Sequence, residues 1–577
     1  MMMVMKRSTG AMHVATIRRK HGDRIYESHL IRRSVREGGH VRHETIANVS
    51  KLPPAALEAL RRALAGETLT SAKEAFEVVR SLPAGHASAV LAACRRLGLA
   101  RLLDRTPSRQ RSLVIAMIAQ RLLAPSSKLA CARALARSTL AEELDLGRVD
   151  EDELYDSLDW LLARQERIEA RLAARHLPAG SLALYDLTSS YLEGSRCPLA
   201  SFGYSRDGRR DRPQITYGLL TSASGVPVAV EVYPGATHDH ETLPAQLAKL
   251  GERFACSELV LACDRGMVTA ANLEAIRETA GLGFVSALRA PQVKRLARSG
   301  AFQPSLFDEL GLAEIAADEF PGERLIVCRN PLVAGERARK REALLAATEA
   351  ELEKIASRVR AGRLTGAAEI GLAVGEVVRR WRVKKHFALA IGEGSFGYER
   401  RAERIAEEAA LDGIYILRTS VAAEHLDAAE VVRAYKLLKE VERDFRVLKG
   451  PALEVRPIYH HLEGRVRAHI FLCTLALYVE HHLRDAWREL TYADECPPLQ
   501  ANPVAKATRS PAAAAKASRG RGGDGLPVMS LRELLAELAT QSRSTIRLAG
   551  GATFTKLATP NPLQVRALEL VETITTP

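Results

Sequence analysis

The sequence lacks several features that would assign it to common protein classes. Its eight cysteines include no Cys-x-x-Cys pair, which argues against a zinc knuckle. It contains no run of about 18 apolar residues, so we expect no membrane-spanning helix. Residues 1–7 have too short an apolar stretch for a signal peptide, and we find no internal repeat. These absences favour a cytoplasmic protein whose cysteines are reduced and mostly buried.

The composition is that of a large, folded and basic protein. Hydrophobic residues make up 47% of the 577 positions, which is enough for a packed core in about three or four domains. The 83 Lys and Arg residues exceed the 69 Asp and Glu residues and give a formal net charge of +14. This excess favours a polyanionic partner such as nucleic acid.

The hydrophobic pattern changes along the chain and divides it into regions. Short β-like segments fill residues 11–50, separated by Gly22-Asp23 and Gly38-Gly39, and helical periodicity dominates residues 54–175. We predict a small basic β-rich N-terminal region at 1–53, a helical domain at 54–178, an α/β core at 179–289 and 413–490, an insertion domain at 290–412, and a flexible basic linker with a C-terminal tail at 491–577.

The order of elements after residue 180 predicts the fold class. Three strands come first, the last two joined by a Ser224-Gly225 turn, and helices then alternate with strands. This is the order of an α/β, RNase H-like (retroviral integrase-like) core with a mixed sheet. The predicted strands are 182–187, 214–222, 226–233, 259–263, 283–288 and 414–418, and the predicted helices are 242–254 and 269–279.

Three acidic residues are candidates for a shared metal site. Asp186 and Asp264 each follow an apolar strand, and the carboxyl ends of strands in α/β sheets carry ligand-binding groups. Two carboxylates side by side would repel, and a hard divalent cation would remove that repulsion. The alternative is that each aspartate merely caps a turn.

The third acid, Glu442, lies in a predicted helix at 428–449. Seven residues are close to two helical turns, so Tyr435, Glu442 and Lys449 share one face. An acid on a mostly apolar face needs a metal or a partner. The alternative partner is Arg446, one turn further along the helix.

Several motifs, taken in order, resemble bacterial DDE transposases of the IS4 superfamily, most closely the IS1634 family. Residues 185–188 and 263–267 resemble the two aspartate motifs. Tyr435, Glu442 and Lys449 match the Tyr-x2-Arg-x3-Glu-x6-Lys signature, with Leu438 at the Arg position. Further similarity covers the segments 203–207, 214–219, 235–239 and 456–469, and the resemblance spans roughly residues 10–490.

The resemblance implies a reaction and its participants. Asp186, Asp264 and Glu442 would bind two Mg²⁺ (or Mn²⁺) ions, and the enzyme would cut transposon ends and transfer the freed 3′-OH to target DNA. Tyr435 and Lys449 would hold phosphates, and Arg446 or Lys439 would replace the missing Arg of the signature. The implied partners are double-stranded DNA and a second copy in a synaptic homodimer, in a cytoplasmic, nucleoid-associated setting, with the first two regions binding DNA.

Three further features have both a functional and an ordinary interpretation. Arg206, Arg210 and their neighbours form a basic loop that either contacts DNA or is simply solvated. Trp381, next to Arg382, either stacks on an unpaired base or is half-buried in a basic strand. Residues 238–240 more simply cap a helix near Thr242 than bind a metal.

Two other functions remain open at this point. An RNase H-like endonuclease without strand transfer needs the same acidic site. A catalytically inactive, transposase-derived DNA-binding protein needs none of it, and the complete set of acids argues against that alternative.

Overall fold

The computed structural model describes residues 9–37, 40–67, 75–254, 258–302 and 307–575. Residues 1–7, the predicted Gly38-Gly39 turn and Cys256 lie outside this part. The chain forms two compact units: the first contains Met1–Ser81 and Arg543–Ala558, and the second contains Leu82–Ser542 and Thr559–Pro577.

Strands and helices are numbered in chain order. The strands are β1 (Thr9–His21), β2 (Arg24–Glu37), β3 (His40–Asn48), β4 (Phe76–Pro83), β5 (Leu182–Tyr191), β6 (Gln214–Ser222), β7 (Pro227–Pro234), β8 (Leu259–Cys263), β9 (Leu282–Ala287), β10 (Leu312–Ile315), β11 (Arg324–Arg329), β12 (Phe387–Ile391), β13 (Phe396–Arg400), β14 (Ile414–Thr419), β15 (Ser542–Leu548) and β16 (Thr553–Leu557). The helices are α1 (Pro54–Leu64), α2 (Gly85–Arg96), α3 (Leu99–Leu103), α4 (Arg109–Leu123), α5 (Lys128–Leu135), α6 (Leu140–Glu143), α7 (Glu151–Leu162), α8 (Gln165–His176), α9 (Asp239–Ala248), α10 (Ala270–Glu278), α11 (Ala290–Arg298), α12 (Pro331–Arg360), α13 (Ala367–Arg380), α14 (Ala402–Ala409), α15 (Ala428–Lys436), α16 (Leu438–Lys449), α17 (Glu463–Ala486), α18 (Pro511–Arg519), α19 (Leu531–Ala539) and α20 (Pro562–Glu572).

The first unit contains two small sheets. The strands β1, β2 and β3 form an antiparallel sheet, and His21 pairs with Arg24 across the predicted Gly22-Asp23 turn. The second sheet has the order β16-β15-β4. Helical periodicity did not predict β4, because its pairing partner β15 lies more than 450 residues away in the sequence.

The second unit is built on an eight-stranded mixed sheet with the order β10-β11-β14-β9-β8-β5-β6-β7. The pairs β5–β6 and β6–β7 are antiparallel, whereas β5–β8 and β8–β9 are parallel. The predicted hairpin and the alternating order that follows it are therefore present. One long helix, α17, is buried along most of its length and packs against β7, α4, α7 and α16.

The insertion predicted at 290–412 makes two different contributions to this unit. Its strands β10 and β11 extend the main sheet beyond β14. The remainder has its own apolar cluster, in which Leu352 and Ile355 of α12 and Val374 of α13 pack with Phe387 at the start of the β12–β13 hairpin. The long charged helix predicted at 336–360 is present and begins earlier, at Pro331, because the Asn330 side chain accepts hydrogen bonds from the N–H groups of Leu332 and Val333.

The region predicted as a flexible linker and tail, 491–577, differs from that prediction. Helices α18, α19 and α20 form there, and the Trp487 indole N–H donates to the Ala567 carbonyl at 2.9 Å. Ala567 and Val571 are fully buried in the main core. The low-complexity composition of this region did not reveal these long-range contacts. The domain boundaries themselves remain predictions.

Most cysteines serve as small core residues, as predicted. In the described residues, Cys94, Cys131, Cys197, Cys263, Cys328 and Cys473 are buried free thiols, and Cys496 is exposed. No single described helix has the length and composition to cross a membrane; α4 and α5 reach the required apolar content only as a pair, and the chain bends by 95° between them.

Candidate carboxylate site

Two neighbouring parallel strands bring Asp186 and Asp264 together. Tyr185 of β5 lies opposite Cys263, the last residue of β8, and the two aspartates are the next residues in the chain. The sequence predicted that Asp186 ends its strand, but β5 continues to Tyr191 because β6 keeps pairing with it as far as Gln214. Asp186 therefore lies within β5, at the level where the neighbouring strand β8 ends.

The helix that carries Glu442 is interrupted. The sequence predicted one helix at 428–449, whereas α15 and α16 are separated at Leu437. There the backbone tightens, because the Leu437 N–H reaches the Ala434 carbonyl and the Glu440 N–H bonds to the Leu437 carbonyl, three residues back in each case. The seven-residue spacing from Tyr435 to Glu442 thus crosses this break.

Packing places both helices beside the acidic strands. Helix α15 packs against β8, β9 and β14, and α16 packs against β5 and β6. The Phe445 ring on α16 meets Tyr217 of β6 edge to face, with ring centroids 6.0 Å apart. Hydrophobic packing of this face therefore fixes the position of Glu442 relative to β5.

The three acids influence one another electrostatically. Burial raises the pKa of Asp186 to about 7, and the negative charges of Asp264 and Glu442 raise it as well. The Leu187 N–H, which donates to Asp186 Oδ1 at 2.7 Å, and the Arg206 cation lower it. Burial likewise raises the pKa of Tyr435 to about 12, together with the charge of Asp264. Tyr435 therefore remains a hydroxyl donor beside these carboxylates.

The donor set suits a hard divalent cation. Carboxylate oxygens are the preferred ligands of Mg²⁺ and Mn²⁺, and a cation would relieve the mutual repulsion that raises the pKa of Asp186. Within the described ranges, no three His, Cys, Asp or Glu side chains already stand in a metal-binding arrangement. Glu442 is exposed, and within the described residues it makes no ion pair with Arg446, the alternative partner predicted for it.

A buried aspartate that the sequence did not single out, Asp207, binds two cations next to this site. Its side chain is 2% exposed, and it accepts a hydrogen bond from Lys449 Nζ at 2.9 Å. Arg456 Nη1 lies 3.3 Å from its other oxygen. Burial lowers the pKa of Lys449, and the charge of Asp207 opposes this effect. Lys449 is therefore held by a carboxylate rather than left free for a phosphate.

A second acid, Asp239, which the sequence analysis assigned to a helix cap, approaches the site from the segment 235–239. A Cβ placed on Gly266 would lie 3.5 Å from Asp239 Oδ2 and 3.8 Å from Asp264 Oδ2, so both carboxylates lie close to this glycine. Arg206 donates to Asp239 Oδ1 at 2.5 Å. Asp239 also begins α9, three residues before the helix start predicted near Thr242, and the Glu241 carboxylate accepts from the His238 N–H.

Close backbone packing holds the basic loop against this segment. A Cβ on Gly235 would lie 2.0 Å from the Gln214 carbonyl oxygen, and one on Gly203 would lie 2.4 Å from that of Gly235. Only glycine fits at these two positions. The loop that carries Arg206 is thereby kept next to Asp239 by backbone packing as well as by the attraction between their charges.

The remaining predicted DNA-binding residues divide into two groups. Arg446 and Arg210 are exposed and make no ion pair within the described residues. Trp381 and Arg382 line a cavity of about 470 Å³ that also reaches Arg265, the neighbour of Asp264. Trp381 ends α13 rather than lying in a strand, and the Arg380 guanidinium stacks over its ring at 5.0 Å.

Comparisons with known proteins agree with this geometry. Residues 180–479, more than half of the chain, match the family model described as the transposase DDE domain, and this range contains all three acids. Residues 14–75 match the N-terminal domain of IS1634 family transposases. No curated protein matches the chain. DDE transposases bind DNA, act generally as nucleases and strand transferases, and typically use divalent metals. The protein therefore belongs to the DDE transposases and is close to the IS1634 family.

Proposed function

We propose that this protein cuts DNA at the ends of an insertion sequence and joins the freed 3′-OH to target DNA, using Asp186, Asp264 and Glu442 as its metal ligands. The observation that carries the proposal is the register of β5 and β8, which brings both aspartates out at one level, together with the influence of Glu442 on the pKa of Asp186. The order β7-β6-β5-β8-β9 supports an RNase H-like core.

Two divalent cations at these carboxylates would supply Lewis-acid chemistry for phosphodiester cleavage. The chain itself supplies binding and orientation. The Tyr435 hydroxyl, which stays protonated because its pKa is raised, donates to a phosphate oxygen. The exposed guanidinium groups of Arg446 and Arg210 contact the DNA backbone.

Lys449 takes a different part from the one that the signature implies. Its ammonium group is bound to Asp207, so we assign Lys449 the role of holding α16 against the loop that contains Asp207. Trp381 is a candidate for stacking on an unpaired base at the DNA end, because its cavity reaches the residue after Asp264. Two copies of the chain would hold the two ends of the element.

The test is a cleavage and strand-transfer assay with a supercoiled plasmid that carries both ends of the element. Wild-type protein with Mg²⁺ is expected to cut at the ends and join them to a second plasmid. Asp186→Asn, Asp264→Asn and Glu442→Gln are each expected to abolish both products. Asp318→Asn, which changes an exposed carboxyl outside the site, is the matched control.

Other outcomes separate the alternatives. Cleavage without joining, by a wild-type protein that is otherwise active, identifies an endonuclease without strand transfer. Full activity of the three acid variants would refute the assigned site. DNA binding without any metal-dependent product identifies an inactive DNA-binding protein.

A further inference from the structure

A second cluster of like charges lies outside the carboxylate site, where the chain bends between α4 and α5. Residues 126–128 at this bend and the segment 454–460 line a cavity of about 290 Å³. Three basic side chains face it: Lys128, Arg121 and Arg456. We call this cavity the cationic pocket. Tyr459 and Glu454 are exposed at its rim, so it opens to solvent.

Lys128 is buried without a counter-ion. The residue is 4% exposed, and its ammonium group makes no hydrogen bond or ion pair within the described residues. Burial, and after it the neighbouring positive charge of Arg121, lower its pKa to about 8. Lys128 is also the first residue of α5, where the helix dipole adds positive potential. A cation with so little exposure and no counter-ion is costly, so this arrangement favours an anionic binding partner.

Two other polar groups that line the pocket also have no partner in the described part of the protein. The Ser126 hydroxyl and Arg456 Nε are buried and have no hydrogen-bond partner among the described residues. Both belong to the lining of the pocket, and both are able to donate a hydrogen bond. Arg121, 7% exposed, is held in place because it donates to the Ser126 carbonyl at 3.1 Å and reaches the Leu453 carbonyl at 3.5 Å. The donors are therefore preorganised.

The neighbouring histidines do not neutralise this charge. Burial lowers the pKa of His460 to about 3, and the positive charges of Lys128 and Arg121 contribute. The pKa of His469 is lowered for the same reasons. Among the described residues that line the pocket, Glu454 is the only acidic one, and its side chain is exposed at the rim. The pocket thus presents cations and neutral donors to an incoming group.

We propose that the cationic pocket binds a backbone phosphate of the DNA, at a distance from the phosphate that is cut. A phosphodiester carries one negative charge and acceptor oxygens that fit an ammonium, a guanidinium and a hydroxyl donor. Arg456 links the pocket to the reaction site, because it shares the buried Asp207 with Lys449 of α16. The inference rests on the proposed function only in taking DNA as the bound substrate.

The test measures how salt affects binding of a fluorescein-labelled DNA duplex of mixed sequence. Binding is followed by anisotropy in EDTA, so that no cutting occurs, at several KCl concentrations between about 50 and 200 mM. Lys128→Met removes the charge and keeps the length of the side chain, and Lys128→Gln is a second neutral variant. Lys128→Arg keeps the charge. Lys354→Met is the control, because Lys354 is 69% exposed and already paired with Glu351.

Both neutral variants are expected to bind more weakly and to reduce the slope of log K against log [salt] by about 0.9, the value of one phosphate contact. Lys128→Arg and Lys354→Met are expected to keep the wild-type slope. Thermal melting checks folding, and neither neutral variant is expected to melt below the wild type. An unchanged slope in both neutral variants overturns the proposal. This holds even if inorganic phosphate raises the melting temperature of the wild type, because the pocket would then bind a free anion but not DNA.

Cleavage with Mg²⁺ is measured on the same protein preparations. If the wild type cuts DNA and the neutral variants keep its salt slope, the phosphate assignment fails and the proposed reaction stands. If the wild type does not cut but the slope falls as expected, the reaction fails and the phosphate site stands.

Discussion

The carboxylate site and the cationic pocket collect charge of opposite sign, and in both the protein leaves that charge incompletely neutralised. Asp186 is raised in pKa by burial and by two neighbouring acids, and Lys128 is lowered in pKa by burial and by a neighbouring arginine. Between them, Asp207 is fully neutralised by Lys449 and Arg456. The first region is suited to cations and the second to an anion.

Two sets of buried charges elsewhere in the protein are neutralised by ion pairs with other side chains. Arg418 and Glu323 are 6% and 1% exposed and share two hydrogen bonds of 2.6 Å. Lys249, 4% exposed, pairs with Glu169 at 3.2 Å and with Glu231 at 2.9 Å. Unlike these pairs, Asp186 and Lys128 make no ion pair within the described residues, and strongly perturbed charges of this kind cluster at functional sites.

The largest expected effect separates two acids on α16. Glu442→Gln should lower the initial rate of end cleavage by about 10³-fold, because metal binding contributes several kcal/mol and each 1.36 kcal/mol is tenfold. Asp444→Asn should leave the rate within about twofold. Asp444 is buried facing the other way: burial raises its pKa to about 8, and its charged neighbours are Arg484 and Glu480. Equal losses in both variants would contradict the assignment of Glu442.

The next largest effect is a loss of stability when the buried ion pair between Arg418 and Glu323 is broken. Glu323→Gln should lower the free energy of unfolding by about 3 kcal/mol, because it leaves the Arg418 cation buried without its partner. Glu314→Gln, which weakens the exposed pair with Arg324, should cost under about 1 kcal/mol. Urea unfolding followed by circular dichroism measures both. A negligible loss in Glu323→Gln would remove the contrast between paired and unpaired buried charge.

Removing the unpaired charge of Lys128 should have the opposite effect on the free energy of unfolding. Lys128→Met is expected to raise the free energy of unfolding at pH 7 by about 1–3 kcal/mol, because an apolar side chain replaces a buried charge. Since the folded pKa of Lys128 is about 8 and its ordinary value is 10.5, the folded state binds fewer protons between these pH values. Wild-type stability should therefore rise relative to Lys128→Met across this window.

The stabilities of the wild type and Lys128→Met should therefore converge as the pH rises, and melting temperatures at pH 7, 9 and 10.5 measure this convergence. Lys354→Met serves as the control, with no such convergence expected. A constant difference between Lys128→Met and the wild type across the window would show that Lys128 is not a strained cation.

The smallest effect tests the cavity next to Asp264. Trp381→Ala should weaken binding of a duplex with one unpaired base by about 1–2 kcal/mol, the order of a single stacking contact. Trp381→Phe should retain most of the affinity, because it keeps an aromatic face. A fully paired duplex is the control substrate. Equal weakening on both duplexes would assign Trp381 to packing rather than to stacking.

Much of the site was predictable because its elements have local signatures. The apolar runs before Asp186 and Asp264 predicted strands, and the hairpin at 214–233 was recognisable from its turn. The family resemblance added Glu442 through a fixed spacing. Asp207 and Asp239 lay inside motifs that were recognised, but their partners are distant in sequence, so their roles were not predicted.

The sequence by itself determined the types of most elements, the acidic motifs and the family, because periodicity and spacing are properties of neighbouring residues. The tertiary structure decided which charges are paired. Lys128 and Arg456 lie more than 300 residues apart, and they line one pocket only because α4, α5 and the segment after α16 pack together. Burial and the approach of distant charges set the pKa of a side chain, and neither is present in a local pattern.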